Sequence, residues 1–197
     1  MVKLGTPLIS DKELKKAVKE MQKIPQGMDK AAARALNDGL VVMGKVAAQE
    51  TSKEYVISQK DVKATFKKRK AYAGNLNAKI ISTGSVIRLS KFPYSPKVTI
   101  NKRNKNGKLS AKSVVKVRIK RSEGKKVIHT TPPAFANTDE IWKRKGKNRF
   151  PREILYTLAV PSMIKNDNVK EPALEKGSER AQERLEHHLN HILGGGK

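Results

Sequence analysis

Between Lys60 and Ile128, twenty-one lysines and arginines stand against two acids, Asp61 and Glu123, an excess of 19 in a chain whose total is +25. Charge at this density cannot be buried without acidic partners, so the segment can enter a core only at chosen positions. Ser113–Arg121 shows how. Val115, Val117 and Ile119 fall on one face, and Lys116, Arg118 and Lys120 on the other, which predicts a half-exposed antiparallel strand with a cationic face. The field of the whole segment repels itself and favours a polyanion or a negatively charged protein ring as partner. A solvated face that keeps the chain soluble is the plainer reading, but solubility does not call for so large an excess.

The flanking segments read differently. Ser10, with Glu13 at the capping-box position, opens a helix marked by Leu14, Ala17, Val18 and Met21 and ended by Pro25. A longer helix is predicted from Gln26 to about Tyr55, its stripe formed by Leu36, Leu40, Met43 and Ala47 and flanked by Ala32, Ala35, Gly39 and Val46. So many small residues imply close approach to a neighbouring element, and packing must offset the roughly 1 kcal/mol that each of Gly39 and Gly44 costs relative to Ala. Ser58 caps a short helix, Gln59 to about Lys70, anchored by Val62 and Phe66. Strands are predicted within Asn75–Ser90, broken at Thr83-Gly84, and then at Lys97–Asn101, Ser113–Arg121 and Glu140–Arg144. Asn106-Gly107 marks a turn inside a basic loop, Lys102–Lys112. Helix returns after Pro172 with Ala181, Leu185, Leu189 and Ile192, and Gly194–Lys197 reads as a flexible tail. Helices, then strands, then a helix argue for an α+β fold, with N-terminal helices packed on an antiparallel β-sheet and a C-terminal helix. The expected division is 1–57, a helical region; 58–164, a basic sheet core; and 165–197, the last helix and tail.

Composition narrows the function classes. Only 37% of residues are hydrophobic and 5% aromatic, so partner surfaces are expected to complete the structure. There is no cysteine, which excludes disulfides and thiolate metal sites and fits a reducing compartment or a virion interior. No run approaches the ~18–20 apolar residues that span a bilayer, so no membrane association is expected. Met1–Ser10 has no signal-like apolar stretch, and the chain is expected to stay where it is made or to leave inside a particle.

No catalytic motif stands out. Phosphate-binding glycine loops are missing, and the basic core cannot supply the clustered carboxylates of a two-metal nuclease. His187 and His191 stand four apart, a possible metal spacing, but no third ligand accompanies them and a solvated helix end is the stronger reading. No catalytic residue, metal site or cofactor is therefore expected. Trp142 lies in Ile141-Trp142-Lys143-Arg144-Lys145, read either as an interface or stacking residue or, more simply, as cover for a sheet edge. The cationic runs are better candidates. Lys67, Lys68, Arg69 and Lys70, and Lys102, Arg103, Lys105 and Lys108 in the basic loop, could meet phosphates without reading bases or meet a neighbouring subunit.

The most particular stretch is Gly146–Met163. A basic turn, Gly146–Arg149, runs into Phe150-Pro151; an apolar run follows from Ile154 to Val160, and Pro161 ends it. A strand fixed at both ends is predicted, with Phe150, Ile154, Leu155, Leu158 and Val160 holding it on the sheet and Arg149 left at a contact surface. This Gly-Lys-Asn-Arg-Phe-Pro … Ala-Val-Pro run resembles the phage minor tail protein Z family, also called tail completion protein Z. Ala31–Asn37 is similar to that family's long N-terminal helix, and Pro133-Ala134-Phe135-Ala136 to its Pro-Gly-Ala-Phe segment, without the glycine. The resemblance implies a structural protein of the virion, assembled in the host cytoplasm and located at the tail–neck junction. It would form a homo-oligomer, a six-fold ring, between the tail terminator protein and the head–tail connector of the portal complex, with packaged DNA in the lumen. Trp142, Arg144, Lys147 and Arg149 are then candidates for connector or subunit contacts. A free-standing, sequence-neutral nucleic-acid-binding protein is the alternative; it accounts for the charge but not for the proline-bounded strand.

Overall fold

A computed structural model describes residues 28–99, 114–137 and 139–193. The expected helix before Pro25 and the basic loop with its turn at Asn106-Gly107 lie outside them. The described chain is α+β and falls into two compact units, crossing between them four times. One unit holds residues up to 51, 59–84 and 160 onward; the other holds 52–58 and 85–159.

The first unit is built on α1, Met28–Glu54, close to the predicted span. Asp29 in its first turn and Lys53 in its last complement the helix dipole. Its buried residues are mostly small, and the predicted stripe is the core: Leu36, Leu40, Met43 and Ala47 pack with Ala71, Ala78, Ile80 and Ala173. The short helix α2, Gln59–Ala64, is buried through Val62. It ends six residues before the predicted Lys70. Thr65 turns back onto the Val62 carbonyl with its N–H (3.1 Å) and its hydroxyl (2.7 Å). Phe66–Arg69 then becomes strand β1, antiparallel to β2, Lys79–Ser82. A strand divides the consecutive cations between two faces and lets Phe66 and Ile80 face the core, a tertiary gain that overrides the helix propensity of lysine. Asn37 clamps the segment after β1 to α1: its Nδ2 donates to the Ala71 carbonyl (2.9 Å) and its Oδ1 accepts from the Ala71 N–H (2.8 Å).

Two short corrections concern the C-terminal part. Pro161 does not merely end a strand; it occupies the first turn of a new helix, α3, Val160–Ile164, where its missing N–H costs nothing. The last helix, α4, starts at Asp167, ahead of Pro172, and runs to Leu193. Asn166 begins it, its Oδ1 accepting the Asn168 N–H (3.2 Å) and its carbonyl accepting from Val169 and Lys170 (2.9 Å each). α4 lies against α1 at the backbone. A Cβ placed on Gly39 would stand 2.5 Å from the Gly177 carbonyl oxygen and 2.8 Å from the Ala181 Cβ.

The second unit is a set of short antiparallel ladders. β3, Val86–Arg88, precedes a 3-10 turn at Leu89–Lys91 and β4, Tyr94–Ser95. β4 pairs with β5, Lys116–Val117, which pairs with β6, Lys126–Val127. Of the predicted strand Lys97–Asn101 the described residues 97–99 are not strand, Pro96 offering no donor just beyond β4, and of Ser113–Arg121 the described residues keep only Lys116–Val117 as a strand; Ile100, Asn101 and Ser113 lie outside the described residues. The alternation survives: Val115 and Val117 are buried and Arg118 is exposed. β7, Phe135–Asn137, pairs with β8, Glu140–Arg144, which pairs with β9, Arg152–Ile154. β10, Tyr156–Ala159, leaves that sheet and pairs with β3. Leu155 is the hand-over point: its N–H donates to Ile141 and its carbonyl accepts from Leu89, 3.0 Å each. The final turn of α1 belongs to this unit, where the Lys120 ammonium meets Glu54 (3.0 Å) and the Arg121 Nε donates to the Ser52 carbonyl (2.7 Å).

The approach of α1 and α4 reverses a common expectation. Ala normally stabilises a helix relative to Gly by about 1 kcal/mol. Gly39→Ala is expected instead to destabilise by ~1–3 kcal/mol through overpacking against backbone, lowering the melting temperature by several degrees, at ~2–4 °C per kcal/mol. At Gly44 the nearest atom to an added Cβ is the Ile80 Cδ1 at 3.0 Å, the movable end of a side chain, so Gly44→Ala should melt within ~2 °C of wild type. Thermal unfolding of both variants checks this; equal melting temperatures would refute the backbone contact.

Candidate partner-binding surfaces

Each surface follows from strand alternation. In the β7–β8–β9 sheet, Ala136 and Ile141 face inward and are buried. The other face carries Phe135, Trp142 and Ile154 in one cross-strand row and Arg144 opposite Arg152 in the next. All five side chains are half-buried. The Arg152 guanidinium lies between two rings, 4.2 Å from the centre of Phe150 and 5.9 Å from that of Phe135, while its Nε is enclosed without a hydrogen-bond partner. Lys143, on the opposite face, is paired with Glu153 at 2.7 Å. Trp142 and Arg144 are thus brought together on one face. Lys147 and Arg149 lie in the exposed bends that follow, Arg149 5.8 Å from the Phe150 ring centre.

Phe150 itself corrects an expectation. It is 61% exposed and Leu158 is 49% exposed, so neither holds the strand on a core; Val160 is buried, and Ile154 and Leu155 are half-buried. The run splits at Leu155 between two ladders, and in β10 its large side chains, Tyr156 and Leu158, take the outward face. Neither Arg152 nor Phe135 is among the contact candidates read from the sequence. The two-residue alternation Arg152–Ile154, beside the aromatic Phe150, was the available signal.

One half-buried carboxylate ties two segments of this unit together. Glu140 accepts from Arg88 (2.6 Å) and from the Ser90 hydroxyl (2.8 Å), tying the 3-10 turn to β8. Burial pushes its carboxyl up, but those two hydrogen bonds and the Arg88 charge outweigh it, and the group sits below its ordinary value.

The cationic run of the first unit lies on β1 and just after it. Lys67, Lys68, Arg69 and Lys70 are all exposed and have no ion-pair partner among the described residues. Lys102, Arg103, Lys105 and Lys108 lie outside the described residues. No group of three or more His, Asp or Glu with metal-binding geometry occurs among the described residues, and no described helix is long and apolar enough to cross a membrane. A small cleft of about 50 Å³ between Met43, Phe66, Ile80 and Ile164 is almost wholly apolar. On α4, His188 stands edge-on to His187 at 5.6 Å and its Nε2 is enclosed without a partner. Its pKa is lowered from 6.5 by burial first, then by Arg184, His187 and Arg34, with Asp38 opposing.

Two outcomes follow. Phe150→Ala should change stability by no more than ~0.5 kcal/mol, as exposed substitutions do; Arg152→Ala should cost ~1 kcal/mol more, losing its place between two rings. Denaturant titration of both variants checks the order; the sequence alone leads one to expect a clear loss from Phe150→Ala. Folding disfavours the protonated form of His188, so as pH falls the unfolded chain takes up this proton first. Its contribution is present above the ordinary value of 6.5 and is lost as pH falls below it. Stability should drop between pH 7 and pH 5 less steeply in His188→Gln than in wild type, measured by denaturant midpoints across that range.

Comparison with curated proteins and with solved structures gives no match. Comparison with protein families gives prophage minor tail protein Z, matched over residues 12–194. The match takes in α1, α4 and the described residues of both units, so the chain belongs to the prophage minor tail protein Z family, whose members are structural proteins of the phage tail.

Proposed function

We propose that this protein completes the head-proximal end of the tail and joins it to the connector beneath the portal, as a six-fold ring at the tail–neck junction, assembled in the host cytoplasm. The family match over residues 12–194 carries this reading. Two physical observations support it. The Phe135–Trp142–Arg152 face is rich in arginine and aromatics, the residue types that dominate protein interfaces. Tyr156 and Leu158 leave an apolar face of β10 in solvent, which a partner would cover. Trp142, Arg144, Lys147 and Arg149 are the connector or subunit contacts in this reading. The tail terminator protein would lie on one side of the ring and the connector on the other.

A second reading, sequence-neutral nucleic-acid binding, is favoured by the exposed cations Lys67–Lys70, which have no ion-pair partner among the described residues. In the ring these would face packaged DNA or a neighbouring subunit.

The test uses particles lacking the protein, complemented with Lys147→Ala/Arg149→Ala. Both residues are exposed, so the melting curve should match wild type, while electron micrographs should show mostly unjoined heads and tails. Normal joining by this variant would remove these residues from the contact; normal joining without any protein would overturn the role itself.

A further inference from the structure

In a chain of net charge +25, the outward side of α4 is acidic. Val169, Ala173 and Ala181 bury its inner side. Glu171, Glu175, Glu179, Glu183 and Glu186 are all exposed, and at 3.6 residues per turn they share an arc of about 120° opposite it. Glu179 and Glu183 pair with Lys176 and Arg180 within the helix; Glu171, Glu175 and Glu186 have no ion-pair partner among the described residues. A second observation lies on the β1–β2 hairpin of the same unit. Phe66, Ile80 and Ser82 turn inward. The outward face sets Lys67 opposite Ile81 and Arg69 directly opposite Lys79. Like charges facing each other across a ladder destabilise it, and no carboxylate among the described residues relieves this pair. That arrangement calls for an anionic partner.

We propose that this partner is α4 of a second copy of the chain. Cations two apart on a strand are spaced ~6.7 Å, and glutamates four apart on a helix ~6 Å, so Lys67 and Arg69 can meet successive carboxylates. Each patch repels its own kind, so a two-fold contact of like with like is disfavoured. The contact is head-to-tail, the type that closes into rings. This rests on the ring reading above and names the surfaces that build it.

Three full-length proteins test the contact by sedimentation at low and high salt: wild type, Lys67→Glu/Arg69→Glu/Lys79→Glu, and Glu171→Lys/Glu175→Lys/Glu186→Lys. Wild type should associate with rising concentration, and salt should weaken it. Each variant should associate about tenfold more weakly or not at all, and an equimolar mixture of the two should recover association, because each then offers the charge the other needs. The strand variant lowers net charge by six, from +25 to +19. General repulsion alone would make it associate more readily than wild type; the specific contact makes it associate less. Circular dichroism confirms that all three are folded.

A monomeric wild type, variants that associate like wild type, or a mixture that fails to recover would overturn the proposal. So would a strand variant that loses only its affinity for a short DNA duplex, since the hairpin would then be a phosphate surface. If the mixture reassociates but does not restore head joining to particles, the contact stands and the proposed role falls. If each variant alone joins heads normally, the role stands and the contact falls.

Discussion

The first unit depends on two helices whose backbones nearly touch. Glycine at 39 and 177 and alanine at 181 remove the side chains that would otherwise hold α1 and α4 apart. Once they are this close, Ala173 and Leu174 reach the cluster formed by Leu36, Leu40 and Met43. Arg184 then bridges from α4 to Asp38 on α1 at 2.7 Å. Dispersion falls off steeply with separation, so a chain with few aromatics gains most from contacts made at the shortest range. Small residues replace large ones here as the source of packing density.

The second unit solves a different problem. Its segments are highly cationic and its strands only two to five residues long. No single ladder of that length is stable alone. Polar ties make up the difference. Glu140 joins two segments through Arg88 and Ser90, and Thr99 exchanges hydrogen bonds with Ala136 through its hydroxyl and its N–H. Acids are scarce in this region, and Glu140 serves two partners at once.

Much of this was legible in the sequence, unevenly. The long helix could be read because Leu36, Leu40, Met43 and Ala47 keep a helical period over many turns, and β8 because Ile141-Trp142 form a short apolar pair between charged residues. The family resemblance was carried by the residues around Gly146–Pro161. What failed was local propensity where partners decide. Phe66–Arg69, with its run of cations, favours helix on its own, and only pairing with Lys79–Ser82, ten or more residues away, makes it a strand. Phe150 reads as a core residue by type, yet it covers an arginine at the surface. The face built by Phe135, Trp142 and Arg152 is invisible in one dimension, because its members lie in three separate strands and only the register brings them onto one side of the sheet.

The hand-over at Leu155 has a consequence for how this chain tolerates changes in length. Arg152–Ile154 take their register from β8, and Tyr156–Ala159 take theirs from β3. One residue inserted after Leu155 would leave the first ladder intact and shift the second by one place. Because side chains alternate with a period of two, Tyr156 would turn inward and Thr157 outward. A deletion would do the same. The bulge already present between Tyr156 and Ala159 is the natural place for such a change to be absorbed, so insertions there should be accommodated more readily than insertions on either side of Ile154.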